Sequence, residues 1–387
     1  MIRLALTIGL TLLRLNSPDG VYASGDTVRI YAQKDSVETL VHEQVYDGPQ
    51  RIIYQYEDTS IGFVVDTDGF EAAYPCPRDF DRYWRREIRA MRRIPADPVL
   101  KPAAVKDDGI ECSSIEIACV DGTPVRGFIA MPRDAARKSL PIVVFAHAAG
   151  VAGRWCRAFA EETAEMARWG GGAIVININA FGMLNDQPQS YYDELENGIY
   201  KDYSRRSYPS RESYIFRGMF LRLVRALDYA CSLDQWDGRR VMTYGQSQGG
   251  CQALALAGLD KRVSCVVGIV PGGCALTGYK ALTQPQSWPW IYSAYEDKEL
   301  ALSILPYFDC IHLTARTDAE LWIEIGLQDQ TCMPEAIWSA INANSRSVKH
   351  IVPSPYRYHD EPSPRYWQQW WDTVHKDRMA FVNEYLK

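Results

Sequence analysis

Six short apolar runs set the rhythm of the chain, at 142–146, 173–178, 241–244, 263–270, 321–325 and 350–352. None alternates strictly between polar and apolar, so each is expected as a strand buried on both faces. Between them lie segments with helical spacing. In 215–232, for example, Phe216, Phe220, Leu223 and Leu227 share one face. Strands alternating with helices predict an α/β fold, a doubly wound and mostly parallel sheet with helices on both sides. The first 75 residues follow a different pattern. Period-two alternation in 27–31, 51–56 and 61–65, punctuated by turns such as Asp47-Gly48, predicts a small all-β, sandwich-like domain. Tyr74-Pro75-Cys76-Pro77-Arg78 is the expected linker, which divides the chain into 1–75 and 76–387. After it, Asp79 is expected to cap a helix over 80–92 that turns Phe80, Tyr83, Trp84, Ile88 and Met91 to one side. A hairpin of 111–118 and 125–130 follows, around Asp121-Gly122.

Two long insertions break the alternation, at about 183–214 and 275–308. Both leave the carboxyl ends of strands, where open α/β sheets bind ligands. Both are rich in aromatic residues, among them Tyr191, Tyr192, Trp288 and Trp290. Such rings can offer flat faces and polar tips to a sugar, or can simply pack the insertions onto the sheet.

Composition removes several function classes. A formal charge of −6 gives no electrostatic case for nucleic acid or an anionic membrane. No apolar stretch is long enough to span a bilayer. The 10 cysteines include no C-x-x-C pair, and H-E-x-x-H and P-loop signatures are missing, so no metal or cofactor is expected. The N-terminus reads two ways. Arg3 and the apolar 4–13 resemble a signal peptide, with Val21-Tyr22-Ala23 as its cleavage site. Arg14 and Asp19 interrupt that pattern, and 12–15 and 27–32 fit strands flanking Ser17-Pro18-Asp19-Gly20, which is the preferred reading.

The chemistry centres on Gly245-Gln246-Ser247-Gln248-Gly249-Gly250. A buried-type strand precedes it, and a helix rich in small residues follows, ending at Gly258. G-x-S-x-G in a strand–turn–helix context is a nucleophile elbow, in which a strained tight turn exposes the serine hydroxyl and the flanking glycines let strand and helix approach. In α/β-hydrolases, an acid and then a histidine follow in chain order. His359 lies in a loop just past the last strand, whereas His350 falls within a strand and His375 in a C-terminal helix. Asp329 follows the strand 321–325; Asp309 and Asp318 precede it, and Asp360 stands beside the histidine. Ser247, Asp329 and His359 are therefore the expected triad. The oxyanion hole is expected from the N–H groups of Gln248 and of Ala149, with Ala148 as the near alternative. His147 is read as a structural neighbour of that hole.

These residues carry a resemblance to the acetyl xylan esterase / cephalosporin C deacetylase family from about Arg78 to the C-terminus. Its carriers are Asp79-Phe80-Asp81-x-x-Trp84, Asp121-Gly122-x-x-Val125-Arg126-Gly127, the elbow, Tyr307-Phe308-Asp309 and Gly326-Leu327-x-Asp329-x-x-Cys332-x-Pro334. The family usually has His-Gly-Tyr where this chain has His147-Ala148-Ala149, and Arg-Gly-Gln where it has Asn179-Ala180-Phe181. The resemblance implies an α/β-hydrolase and a serine carboxylesterase that deacetylates sugars or xylo-oligosaccharides. It names Ser247, Asp329, His359 and Gln248 in the roles already reached. The alternatives are a peptidase of similar fold and a catalytically weak carbohydrate-binding protein. The β domain resembles that of two-domain, often exported members, which favours a periplasmic or secreted location and leaves oligomeric state open. It is expected to be a packed accessory that supplies no triad residue.

Overall fold

The structure is a computed structural model and describes residues 10–280 and 287–387. The proposed signal segment falls partly on residues 1–9, outside the described residues. Part of the second insertion, 281–286, lies outside them too. The strands are β1 Leu12–Leu15, β2 Val21–Tyr22, β3 Thr27–Lys34, β4 Val37–Val45, β5 Gln50–Tyr56, β6 Thr59–Val65, β7 Val99–Pro102 and β8 Ile110–Ile117. They continue as β9 Val125–Pro132, β10 Leu140–Ala146, β11 Ile174–Ile178, β12 Trp236–Gln246, β13 Cys265–Ile269, β14 Glu320–Gly326 and β15 Lys349–Ser354. The helices are α1 Phe80–Arg92, α2 Ala160–Met166, α3 Gln189–Asn197, α4 Ile215–Ala230, α5 Gln248–Leu259, α6 Lys298–Ile304, α7 Cys310–Thr314, α8 Pro334–Asn342, α9 Trp367–Trp370 and α10 Lys376–Leu386.

Among the described residues nine strands form one sheet in the order β15-β14-β13-β12-β10-β11-β9-β8-β7. Neighbours from β11 to β15 run parallel, while β7, β8 and β9 join antiparallel at one edge. All six apolar runs are strands of the parallel part, but β15, at the edge of the sheet, is only half-buried and leaves His350 exposed. The run at 263–270 ends one residue early because Val270 takes a φ of 39°, which turns the chain out of the sheet. On one face, α4 buries Phe216, Phe220, Leu223 and Leu227, each worth roughly 1.5–3 kcal/mol of transfer free energy. The result is the expected doubly wound, mostly parallel α/β architecture.

Helix α1 has the expected span and buries the five expected side chains. The expected cap does not form, however. Asp79 stands at the N-cap position but directs its carboxylate to the hydroxyl of Tyr307 instead of to the helix amides. The longer reach to Tyr307 joins α1 to the second insertion.

Two three-stranded sheets, β1-β3-β4 and β2-β6-β5, precede the main sheet. Leu13, Leu15, Val28, Ile30, Ile61 and Phe63 form their shared core. Strand β4 escaped the sequence reading because its side chains are mostly exposed and polar. Strand β6 is buried along its whole length. Its Ile61, Phe63 and Val65 enter the small core, while Val64 joins the large one. Among the described residues no helix is long and apolar enough to cross a membrane.

Candidate active site

Strand β12 delivers the chain into a turn that only small residues permit. A Cβ at Gly245 would stand 2.3 Å from the carbonyl carbon of Gly249, and one at Gly249 would stand 2.1 Å from the carbonyl oxygen of Ala146. Between them Ser247 adopts φ 57° and ψ −118°, a strained conformation for a residue with a side chain. Three hydrogen bonds hold it there. The Ser247 N–H donates to the Ile269 carbonyl at 2.9 Å, and the Ser247 carbonyl accepts from Cys251 at 3.0 Å and Gly272 at 2.9 Å. Helix α5 begins at the next residue.

The expected partners converge on this serine. Ser247 Oγ lies 2.9 Å from His359 Nε2, and His359 Nδ1 lies 2.8 Å from Asp329 Oδ2. Asp329 is fully buried, and its other oxygen accepts the N–H groups of Thr331 at 2.7 Å and Cys332 at 2.9 Å. These two donors fix the carboxylate, and the carboxylate fixes which imidazole nitrogen carries the proton. The histidine loop is pinned from the other side. Arg357, itself ion-paired with buried Glu324 at 3.1 Å, directs its guanidinium toward the carbonyls of His359 and Asp360. Arg378 and the Trp370 indole complete the satisfaction of Glu324.

Asp329, Cys332 and His359 each bring a ligand atom within 4.8 Å of the others, the spacing of a metal centre. The inner Asp329 and His359 atoms are already committed to each other, which fits proton relay. Burial, reinforced by the Asp329 charge, pushes the Cys332 thiol well above its usual value, so it stays protonated and does not compete as a nucleophile.

Among the described residues, the N–H groups of Gln248 and Ala149 have no hydrogen-bond acceptor, as an oxyanion hole requires. Two aromatic residues that the sequence reading missed hold this region. The Tyr203 hydroxyl donates to Gln248 Oε1 at 2.7 Å and accepts from the Gly150 N–H at 3.1 Å. The Trp155 indole N–H donates to the Ala149 carbonyl at 2.9 Å. A cavity of about 610 Å³ lies near the site, lined by Ala148, Trp155, Gln246 and Asp360 together with Glu162, Tyr244 and Arg378, but by none of Ser247, Asp329 or His359. Tyr203 sits in the flagged first insertion, but nothing local distinguishes it from the other tyrosines there.

The remaining candidates fall outside the relay. Buried His147 bonds Asn177 at 2.6 Å, and burial pushes its pKa down to about 4, which fits the structural reading. His350 pairs with Glu320 at 2.8 Å, and His375 stacks on Trp371. Asp309 caps α7, and Asp318 pairs with Lys261. Of the four proposed sugar contacts, Tyr192 and Trp288 are buried. The Tyr192 hydroxyl donates to the Leu184 carbonyl, and its ring lies under Arg157. Tyr191 accepts from the Leu184 N–H, Trp288 stacks on Phe216, and Trp290 lies under Arg205. All four rings thus have partners within the protein, and the two tyrosine hydroxyls are engaged as well. The divergent Asn179 is likewise structural: it accepts from Ala158 and donates to Met183 and Asn185.

The model of the family described as Acetyl xylan esterase (AXE1) matches residues 66–371. The chain belongs to this family. Acetyl esterase Axe7A of Xylanibacter ruminicola is 25% identical over 285 residues, which cover 70% of this chain and 62% of that relative. The match thus spans less than two thirds of the relative's length. Among solved structures, the acetyl xylan esterase from Paenibacillus sp. R4 has a TM-score of 0.65 at 23% identity, with 83% of this chain and 98% of the other covered. Acetyl xylan esterase 1 from Thermoanaerobacterium sp. JW/SL YS485 has a TM-score of 0.61 at 22% identity, with the same two coverages of 83% and 98%. Identities this low establish the shared fold. The family match favours neither the peptidase nor the binding-protein alternative.

Proposed function

We propose that this protein is a serine carboxylic ester hydrolase that removes acetyl groups from acetylated sugars, xylo-oligosaccharides foremost. The unbroken relay carries the reading, with 2.9 Å from Ser247 to His359 and 2.8 Å from His359 to Asp329. His359 Nε2 takes the serine proton as Oγ attacks the ester carbonyl. The Gln248 and Ala149 N–H groups then donate to the tetrahedral oxyanion. Asp329 stabilises the imidazolium without taking its proton. The imidazolium protonates the departing sugar alkoxide, leaving an acetyl-enzyme on Ser247. His359 next deprotonates a water molecule, which attacks that ester; the bond to Oγ breaks, the imidazolium returns its proton to Ser247, and acetate leaves. Family membership supports the choice of acetyl group and sugar.

The test is a series of esters with one leaving group. One added methylene in a closed acyl pocket changes selectivity by about 10–200-fold, so kcat/KM should fall at least about tenfold from acetate to butyrate. Acetylated xylo-oligosaccharides should release acetate faster than other acetylated sugars. A rate that holds level or rises through hexanoate would exclude the deacetylase reading.

A further inference from the structure

The small β-rich module lies almost wholly outside residues 66–371, the part that the family accounts for. It contributes no triad atom, yet it grips both loops that carry the acid and the base. Arg51 of β5 donates to the main-chain carbonyl of Asp329 at 2.9 Å. The same guanidinium pairs with Glu335, just past the acid loop, at 3.0 Å, with both side chains more than nine-tenths buried. Ser60 of β6 donates to Gln328, the residue before the acid, at 2.5 Å. Gln328 in turn donates to the carbonyls of Ser60 at 3.2 Å and Pro355 at 2.9 Å, so one amide ties the module to both loops. The Ser60 hydroxyl also lies 3.0 Å from the hydroxyl of Tyr358, the residue before the base. Gly62 donates its N–H to the Pro355 carbonyl at 2.9 Å. A Cβ at Gly62 would lie 2.6 Å from the Leu327 carbonyl oxygen, so the two backbones meet with no room for a side chain.

We infer that the β5–β6 hairpin is part of the catalytic apparatus, with Arg51 and Ser60 as positioning residues that hold Asp329 and His359 in register with Ser247. This rests on the triad reading above. The physical argument is one of reach. The acid and base sit on separate loops after β14 and β15, and each triad hydrogen bond tolerates only a few tenths of an ångström. A displacement of about 1 Å lowers turnover by about 10²-fold. Buried hydrogen bonds from a hairpin outside the main sheet, reaching both loops at once, restrain that displacement. A module serving only as a sugar-binding or solubilising appendage needs no such contacts.

The experiment compares four variants of the full chain. Arg51→Met/Glu335→Leu removes the contact without stranding a buried charge. Ser60→Ala breaks the second clamp, Arg51→Lys returns one donor, and Arg14→Ala alters an exposed module residue paired with Glu38. Each is assayed for kcat and KM on an acetate ester and for the rate at which a fluorophosphonate labels Ser247. The low-field proton resonance of the His359–Asp329 hydrogen bond is followed as well. The double variant should lose about 10–100-fold in kcat and in labelling rate, with KM within about threefold and the resonance shifted or lost. Ser60→Ala should lose about 3–10-fold, Arg51→Lys should recover part of the rate, and Arg14→Ala should match the wild type. Turnover and labelling within threefold of wild type in both clamp variants would overturn the inference. So would an equal loss in Arg14→Ala. Labelling and the resonance do not depend on the substrate. A wild type that labels normally but spares acetates would therefore sink the esterase reading alone.

Discussion

Gly249→Ala tests the elbow more sharply than removing the nucleophile does, because it leaves every catalytic side chain in place. The new methyl would stand 2.1 Å from the carbonyl oxygen of Ala146 and 3.2 Å from the carbonyl carbon of His147. Ordinary structures almost never bring a Cβ nearer than 3.0 Å, so α5 or the end of β10 must retreat by about 0.9 Å. Both alternatives damage the site. Moving β10 carries Ala149 away from the oxyanion, and moving α5 carries Gln248 and Ser247 away from His359. A misplacement of about 1 Å corresponds to about 10²-fold in turnover. Overpacking of this kind also destabilises by about 1–3 kcal/mol. Saturation kinetics on an acetate ester, alongside urea unfolding, should therefore show kcat reduced about 100-fold in a protein that remains folded at 25 °C. A variant with kcat within threefold of wild type would show that the elbow yields without loss, and would refute the claim that this contact sets the geometry.

Ser247→Ala should lower kcat by about 10⁴-fold or more while leaving the unfolding midpoint within a few degrees, and turnover within tenfold of wild type would remove the serine from the mechanism. His147 supplies a pH effect. Burial holds its pKa near 4, so below about 6.5 the unfolded ring binds a proton that the folded ring refuses, and stability falls as pH drops through that window. Comparing wild type with His147→Asn isolates this ring: the wild type should lose about 2 kcal/mol more between pH 6.5 and 4.5, and parallel slopes would refute the assignment. Asp309→Asn should destabilise by about 1–3 kcal/mol in denaturant unfolding, because the carboxylate accepts N–H groups from Ala275, Leu276 and Ile311 and an amide NH2 would oppose one of them.

The parallel core was legible because strands buried on both faces have few polar positions to confuse the period. The convergence of Ser247, Asp329 and His359 was legible because backbone geometry constrains it. An elbow needs small neighbours, the acid must leave the carboxyl end of a strand, and the base must hang from the next loop. Ser247, Asp329 and His359 could be picked out on those grounds before any distance was known. The supports of the site were not. Tyr203, Trp155 and Arg51 reach it across 45, 6 and 278 positions of sequence. Each looks locally like any other aromatic or basic residue. The aromatic insertions stood out in the sequence, but their purpose, packing or sugar contact, was left open. Chemistry alone does not tell a ring facing a sugar from a ring facing a neighbour. Asp79 failed as a cap for a related reason: a short carboxylate serves whichever donor the tertiary fold brings nearest.

Those supports also explain how a strained serine can be a stable feature. Ser247 and its neighbours form a junction of otherwise independent segments, the turn after β12, the loop after β10, and the loops after β14 and β15. Tyr203 joins the first two, since one hydroxyl holds both the Gln248 side chain and the Gly150 N–H, beside the proposed oxyanion hole. Gln328 joins the last two through Pro355, and Ser60 holds Gln328. The first insertion and the β module thus act as braces on opposite sides of the same junction. A bare α/β core would leave each loop to fluctuate alone, and the product of several small misplacements would govern the rate. Shared hydrogen-bond partners tie the positions of the loops to one another. That coupling lets a site assembled from four separate loops keep both relay distances below 3.0 Å.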